Sequence, residues 1–475
     1  MGINGSQGFA DIEKLRRRFA AHGQDHVFRF WERLDGSQQQ ELARQAQAID
    51  LEGLRAALAA AREVGPSRVG MRPPPAERLP ERGGNAERWS EAKRRGEALL
   101  RSGRVAALVV AGGQATRLGF PGPKGAFPLG PITERSLFAI QGQKLRRARE
   151  RSGQPLRWYV MTSPATDAAT RAFFAEHDCF GVPPGDVFFF EQATVPCFDL
   201  DGRLMLAEAG KIASNPDGHG GSLTALLHSG ALDDMERRGI TTLFYYQVDN
   251  PLVRMLDPTL LGFHATSSAE VSCKVVRKQD PLEKVGIVAQ LGDALGVVEY
   301  SELDDELRQR RDDAGELVYW AGNIAIHVFE TRFVRRLASE AERWLPFHVA
   351  EKTIPTIDDA GQPIQPETPN GRKLERFVFD ALPAAKRVCV VEAERAQEFS
   401  PVKNPSGSDS PETARQDLAA CYAAWLEAAG IDVPAGTALE IDHSRIDGPE
   451  DAIALGFRSL GEAGDIVRTQ PGARA

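Results

Sequence analysis

The sequence predicts an α/β fold. It reads as a Rossmann-like, mostly parallel mixed sheet with helices on both faces, plus a helical N-terminal extension and a small C-terminal lobe. Three observations carry this. From Val105 to about Pro383, short apolar runs alternate with amphipathic helical segments, the pattern of strands joined by helical crossovers. Residues from about Asp11 to Val64 are rich in Ala, Leu, Glu, Gln and Arg at helical spacing. Beyond a polar, turn-rich stretch at Phe399–Asp409, one helical segment and a short apolar tail remain.

Taken in order, Met1-Gly2-Ile3-Asn4-Gly5-Ser6 lacks the apolar core of a signal peptide. It formally fits the myristoylation pattern M-G-x-x-x-[ST], although no polybasic patch follows at once. After the N-terminal helices, Pro66–Gly84 reads as a Pro/Arg/Gly linker, and Glu87–Gly103 as a further helix. Residues 1–100 are thus expected to form a helical N-terminal region.

The central domain is expected over residues 101–395. It opens on Val105–Ala111, an apolar, β-branched-rich run that suits a buried strand. Further strand candidates are Arg157–Met161, Val187–Phe190, Thr242–Val248, Glu270–Val276, Gly286–Gln290 and Ala325–Phe329. Helix candidates are Ser136–Arg151, Ala165–Glu176, Ser222–Ser229, Ala231–Arg238 and Thr331–Ala341. Residues 396–475 form the expected C-terminal domain: a helix at Pro411–Gly430, a short strand at Ala438–Ile441 and a frayed end after Gly464.

Bulk composition narrows the function. The chain has 475 residues, 42% hydrophobic and 26% charged, as expected of a globular protein of two or three domains. A net charge of −8 speaks against general affinity for nucleic acid. No apolar run is long enough to span a bilayer. The five cysteines are widely separated and show no metal-binding spacing, so reduced thiols in a cytoplasmic protein are expected.

The most informative segment is Val105–Gly125, V-A-A-L-V-V-A-G-G-Q-A-T-R-L-G-F-P-G-P-K-G. A strand that ends in glycines and then delivers Arg117 and Lys124 is suited to polyphosphate. Glycines let the backbone approach a nucleotide, and main-chain N–H groups can face anionic oxygens. Arg117 offers a planar fork and Lys124 a mobile point charge. Neither G-x-x-x-x-G-K-[ST] nor G-x-G-x-x-G occurs here. What remains, G-G-x-x-T-R-L-G followed by P-K-G, resembles the signature loop of sugar nucleotidyltransferases. It is most similar to the UDP-N-acetylhexosamine pyrophosphorylase branch of the UTP:sugar-1-phosphate uridylyltransferases. One departure is Ala115, where that loop usually has glycine. If the position needs φ > 0, alanine there costs about 1 kcal/mol.

The resemblance implies roles for further residues. Ala111, Gly112 and Gly113 would meet the nucleotide through their backbone. Gln192, ending Phe188-Phe189-Phe190-Glu191-Gln192, would read the uracil edge, because a primary amide both donates and accepts. In Pro216-Asp217-Gly218-His219-Gly220-Gly221, Gly218 would lie near the uracil and His219 near the sugar. The family commonly has Asn at the His219 position. Asp249, in Val248-Asp249-Asn250 after an apolar strand, would bind Mg²⁺, which takes hard oxygens and is often held by one or two carboxylates plus substrate phosphates. Taken alone, a strand-end Asp is also a common turn residue.

Gly286, Glu299, Tyr300 and Asn323 would bind the hexose, with Asn323 also meeting the acylamino group. Asn370–Asp380 resembles N-G-x-K-x-E-x-F-V-F-D. Its Phe377 and Phe379 alternate and are expected on one face, walling the acetamido pocket, and its Lys373 would point at phosphate. Lys403, in F-S-P-V-K-N, would bring a second cation. The matching stretch runs from about Arg101 to Arg415.

The implied reaction joins UTP and a hexose 1-phosphate, most simply N-acetylglucosamine 1-phosphate, with Mg²⁺ as cofactor. Arg117, Lys124, Lys373 and Lys403 would be the catalytic cations. The expected partners are these two substrates, with no nucleic acid or membrane, in a monomer or weak homodimer. The same chemistry on glucose 1-phosphate or a wider set of sugars stays open. So does a silent nucleotide-sugar sensor, while a dehydrogenase is disfavoured by the missing glycine fingerprint.

Overall fold

A computed structural model describes residues 5–60 and 70–470. The first residues of the myristoylation-like pattern, the Pro66–Val69 start of the expected linker and the last five residues lie outside that range. The chain divides into two compact units. The first comprises Met1–Pro66, Ala193–Gly221 and Ala341–Val378, and the second Ser67–Gln192, Ser222–Glu340 and Phe379–Ala475.

The second unit is built on a nine-stranded mixed sheet. Its strands are β1 (Val105–Val110), β2 (Arg157–Thr162), β3 (Val187–Glu191), β4 (Thr242–Gln247), β5 (Val271–Arg277), β6 (Ile287–Leu291), β7 (Ala294–Val298), β8 (Ala321–Glu330) and β9 (Val388–Glu392). Their order is β7-β6-β8-β4-β1-β2-β3, with β5 pairing both β8 and β9. The expected strands are present within a few residues of their expected ends, and the sheet is mixed as expected. One parallel part is β4-β1-β2-β3, in register from Val105↔Thr242 and Ala106↔Arg157, and β5 and β9 also pair in parallel, from Val271↔Val388.

Val105–Val109, all of β2 and Thr242–Tyr246 are buried, because helices cover both faces of a parallel sheet. On one face Val105, Ala107 and Val109 share a core with Trp158, Val160, Phe244 and Tyr246. Phe138 of the helix Leu137–Ser152 and Phe174 of Asp167–Glu176 close over them, their rings 4.8 Å apart and edge-on. The antiparallel part is organised by β8, which pairs with β4, β5 and β6.

Two expectations are corrected here. Pro66–Gly84 reads as a linker, but its described part is ordered against the sheet. Arg72 and Gln290 exchange backbone hydrogen bonds at 3.1 and 2.9 Å, and Glu77 N–H donates to the Val390 carbonyl at 2.8 Å. Proline removes donors only at its own positions, which leaves the intervening residues able to pair. The end after Gly464 is not frayed throughout, since Val467–Gln470 pairs antiparallel with the expected strand Ala438–Ile441.

In the first unit the helices Gly5–Ala21, Gly36–Ala48 and Leu51–Ala60 share a core with Phe198, Leu206, Ile357 and Leu374. Asp35 and Gln38 form a capping box at the second helix. A three-stranded sheet is formed by His348–Lys352, Gly371–Glu375 and Phe198–Asp199. Among the described residues no helix is long and apolar enough to cross a membrane.

Candidate active site

The glycine loop leaves the carboxyl end of β1, where open α/β sheets bind ligands. Ala111 is buried, and its N–H donates to the Met161 carbonyl at 2.9 Å. Ser163 Oγ donates to the Gly112 carbonyl at 2.7 Å. Among the described residues the N–H groups of Gly112 and Gly113 have no acceptor, as an anion-binding backbone requires. The loop is closed by Lys124 N–H to the Gly113 carbonyl at 2.9 Å and Ala115 N–H to the Gly122 carbonyl at 3.0 Å.

Ala115 has φ −96°, so the glycine-to-alanine departure carries no left-handed strain. The left-handed position is instead Gly119, at φ 72°. Arg117 is exposed on the intervening turn, without a hydrogen-bond or ion-pair partner among the described residues. Gly125 has a steric role. A Cβ there would lie 2.1 Å from the Phe138 ring.

Gln192 follows β3, and its N–H donates to the Thr162 carbonyl at 2.9 Å. Its amide lies against the glycine loop, since a Cβ on Gly112 would stand 3.1 Å from Gln192 Oε1. Glycine at 112 therefore makes room for this amide, whose atoms make no hydrogen bond among the described residues.

Asp249 follows β4, the neighbour of β1. Its Oδ2 accepts from Lys124 Nζ at 3.1 Å, so the glycine loop and the strand-end carboxylate meet. The Asp249 carbonyl accepts from Val402 N–H at 2.9 Å, beside Lys403. Asn250 completes the clamp. Its Nδ2 donates to the Glu398 carbonyl at 2.7 Å, and its Oδ1 accepts from Ser400 N–H at 3.1 Å. V-D-N and F-S-P-V-K-N are thus bonded to one another. Asn250 carries no role in the sequence reading, and its place directly after Asp249 in the motif is the signal that marks it. Lys403 is partly exposed, with Nζ 3.8 Å from Asp409 Oδ2 and 5.7 Å above the Phe399 ring.

Three expected sugar residues also converge. Asn323 N–H donates to the Gly286 carbonyl at 2.8 Å. A Cβ on Gly286 would lie 3.1 Å from Glu299 Oε1. Asn323 Oδ1 accepts from the N–H of Ala325, a non-glycine residue at φ 54°, at 3.2 Å. A register shift between Cys273 and Val275 on the paired strand marks the same irregularity. Glu299 also closes a capping box with Glu302. Tyr300 is exposed, and its carbonyl accepts from Arg308 at 3.1 Å.

Gly218, His219, Lys373 and Phe377 belong to the first unit. Gly218 has φ 86°, and a Cβ there would sit 2.5 Å from the Arg376 carbonyl oxygen. The loop is laced to the 376–378 backbone. Arg376 N–H donates to the Asp217 carbonyl at 2.7 Å, Gly220 N–H donates to the Arg376 carbonyl at 2.8 Å, and Val378 N–H donates to His219 Nδ1 at 3.1 Å. His219 therefore accepts through Nδ1. Its ring stacks on Phe377 at 5.3 Å, and Phe377 stacks on His348 at 4.3 Å. Lys373 lies on the strand Gly371–Glu375, opposite Ala350.

Asp217 is a residue the sequence reading left without a role. It is only 2% exposed, its Oδ1 has no hydrogen-bond partner among the described residues, and burial pushes its carboxyl up to about 7 against the opposing pull of Arg376. Phe377 and Phe379 do not share a strand face. The strand ends at Glu375, and Phe379 lies in a 3₁₀ turn, Val378–Ala384, because backbone pairing with Asp217 and Gly220 diverts the chain at Arg376. Phe379 is buried in the second unit.

A family profile described as UTP--glucose-1-phosphate uridylyltransferase matches residues 69–409. This chain belongs to that family. It is 38% identical over 472 residues to UDP-N-acetylhexosamine pyrophosphorylase-like protein 1 of Xenopus tropicalis, covering 95% of this chain and 92% of that protein. It is 36% identical to the UDP-N-acetylglucosamine pyrophosphorylase of Saccharomyces cerevisiae, covering 90% and 93%. The solved uridine diphosphate N-acetylglucosamine pyrophosphorylase from Trypanosoma brucei matches with a TM-score of 0.81 at 27% identity, covering 96% of this chain and 95% of that one.

In this uridylyltransferase-family chain, no three His, Cys, Asp or Glu side chains form a metal cage among the described residues. The lone carboxylate of Asp249 fits Mg²⁺ nonetheless, since that ion keeps water and takes further oxygens from substrate phosphates.

Proposed function

We propose that this chain transfers the uridylyl group of UTP to N-acetylglucosamine 1-phosphate, giving UDP-N-acetylglucosamine and pyrophosphate. The observation that carries this reading is the Lys124–Asp249 pair at 3.1 Å, which joins the phosphate loop to the strand-end carboxylate. The names of the relatives supply the sugar. A phosphate oxygen of the sugar phosphate attacks the α-phosphorus of UTP in line. The new O–P bond forms as the bond to the β-phosphate oxygen breaks, and pyrophosphate leaves with that electron pair. No covalent enzyme intermediate is needed, so the protein positions the substrates and stabilises charge.

Ala111, Gly112 and Gly113 hold the nucleotide backbone-first, and the Gln192 amide selects uracil. Arg117 and Lys124 hold the leaving phosphates. Lys403 neutralises the attacking phosphate, and Lys373 is assigned the same phosphate by the family resemblance. Asp249 would hold Mg²⁺, which supplies charge neutralisation on the phosphates when bound. Gly286, Glu299 and Asn323 receive the sugar. By the family resemblance Gly218 is assigned to the uracil, and His219, Phe377, Phe379 and Tyr300 to the sugar. The reading places the enzyme in the cytoplasm, as a monomer or weak homodimer.

The test is stoichiometric release of pyrophosphate and UDP-sugar from UTP, sugar 1-phosphate and Mg²⁺. A nucleotide-sugar sensor would bind without turnover.

A further inference from the structure

Beneath the Asp249–Lys403 region lies a group of buried charges that the reaction does not use. Lys274, on β5, is 2% exposed. Its ammonium contacts the Glu398 carboxylate and lies 2.8 Å from Asp257 Oδ2. Asp257 caps the helix Pro258–Thr266 through Thr259 N–H at 3.0 Å, and Arg254 Nε approaches Asp257 at 3.8 Å. Glu398 is itself buried, and its Oε2 accepts from Arg254 N–H at 3.2 Å.

The position of Glu398 in the chain is what matters. Its carbonyl accepts from Asn250 Nδ2, and the same Asn250 holds Ser400. Two residues on, Val402 is bonded to the Asp249 carbonyl. The path from the Lys274 ammonium to Lys403 is therefore unbroken: an ion pair, the Glu398 main chain, the Asn250 clamp and the Val402 tie. A buried ion pair contributes little net stability compared with apolar packing of the same volume. What it does supply is a fixed position for the chain that carries it.

We infer that the buried Lys274–Glu398 pair is a positioning device for uridylyl transfer, setting the Lys403 loop against Asp249. Neither residue touches substrate. The inference rests on the assignment of Lys403 to the phosphates. The uracil contact assigned to Gln192 and the nucleotide contact assigned to Gly112 are not reached by this path.

The test uses Glu398→Gln and Lys403→Ala, singly and together, in the full chain. Glu398→Gln is expected to lower kcat by about 10–100-fold, the scale of small misplacements and lost supporting contacts. The UTP dissociation constant is expected to stay within about twofold. In the Lys403→Ala background the same change is expected to cost nothing further, because coupled residues are non-additive. An equal loss in both backgrounds shows a merely structural role and overturns the inference. So does parental turnover in Glu398→Gln while Lys403→Ala is impaired, an outcome that leaves the Lys403 assignment standing. Parental turnover in Lys403→Ala removes that assignment and the inference together. If Glu398→Gln does not fold, Lys274→Met/Glu398→Leu removes both charges at once. A kcat loss with the melting temperature retained supports positioning, and parental kcat overturns it.

Discussion

Val402 donates its N–H to the carbonyl of Asp249 at 2.9 Å, joining two motifs more than a hundred residues apart in the chain. This bond ties the segments that carry Lys403 and Asp249 backbone to backbone, and Lys124 meets the Asp249 carboxylate from the glycine loop. Electrostatic stabilisation of a phosphoryl-type transition state depends on such fixed placement.

Arg117→Ala and Lys403→Ala are each expected to keep the fold and to lose at least about 10²–10³ in turnover, the usual effect of removing one preorganised charge contact. Both side chains are solvent-accessible, so circular dichroism and melting temperature should match the parent while pyrophosphate release collapses. Near-parental release from either variant removes that residue from the mechanism.

Asp249→Asn keeps the size of the side chain and removes its charge. It is expected to lower turnover and to raise the Mg²⁺ concentration needed for half-maximal rate, since a neutral amide is a poorer ligand for a hard cation. A Mg²⁺ titration of the initial rate reads this directly. An unchanged titration midpoint rules Asp249 out as the metal ligand.

Gly125→Ala is expected to destabilise the second unit by about 1–3 kcal/mol, the range for overpacking a filled core. The added methyl would stand 2.1 Å from the Phe138 ring, itself packed on Phe174 and Trp158. Urea unfolding measures the loss, and Phe138→Leu in the same chain should recover part of it. Full stability in the single variant would show that Phe138 moves aside freely.

Asp217 carries a pH signature. Its carboxyl is raised to about 7 by burial. From the ordinary aspartate range up to pH 7, the folded chain holds a proton that the unfolded chain has released. Stability therefore falls as pH rises through that window. Asp217→Asn removes the titration. Compared with the parent, it should gain up to about 4 kcal/mol between pH 4 and pH 8, at roughly 1.4 kcal/mol for each pH step across that window. Parallel stability curves for the two proteins would contradict this.

Much of the fold was legible because its signal is local. Val105–Ala111 and Thr242–Val248 are continuous apolar runs, as buried parallel strands must be. The meeting of Lys124 with Asp249 was legible for the same reason, since one sits in a glycine turn and the other at a strand end. Three features were hidden because they depend on distant partners. The backbone at Ala115 is set by the hydrogen bond to Gly122, not by alanine's own preference. Phe377 and Phe379 look like alternating strand residues until the Asp217–Gly220 loop captures Arg376. The stretch after Pro66 reads as a linker by composition, yet its N–H groups find carbonyls on β6 and β9.

The most direct measurement is kcat/KM for pyrophosphate release with UTP and Mg²⁺, comparing N-acetylglucosamine 1-phosphate with glucose 1-phosphate. The account predicts a clear preference for the acetamido sugar, diminished when Asn323 is changed to Ala. A preference for glucose 1-phosphate, or no release from either sugar, contradicts it.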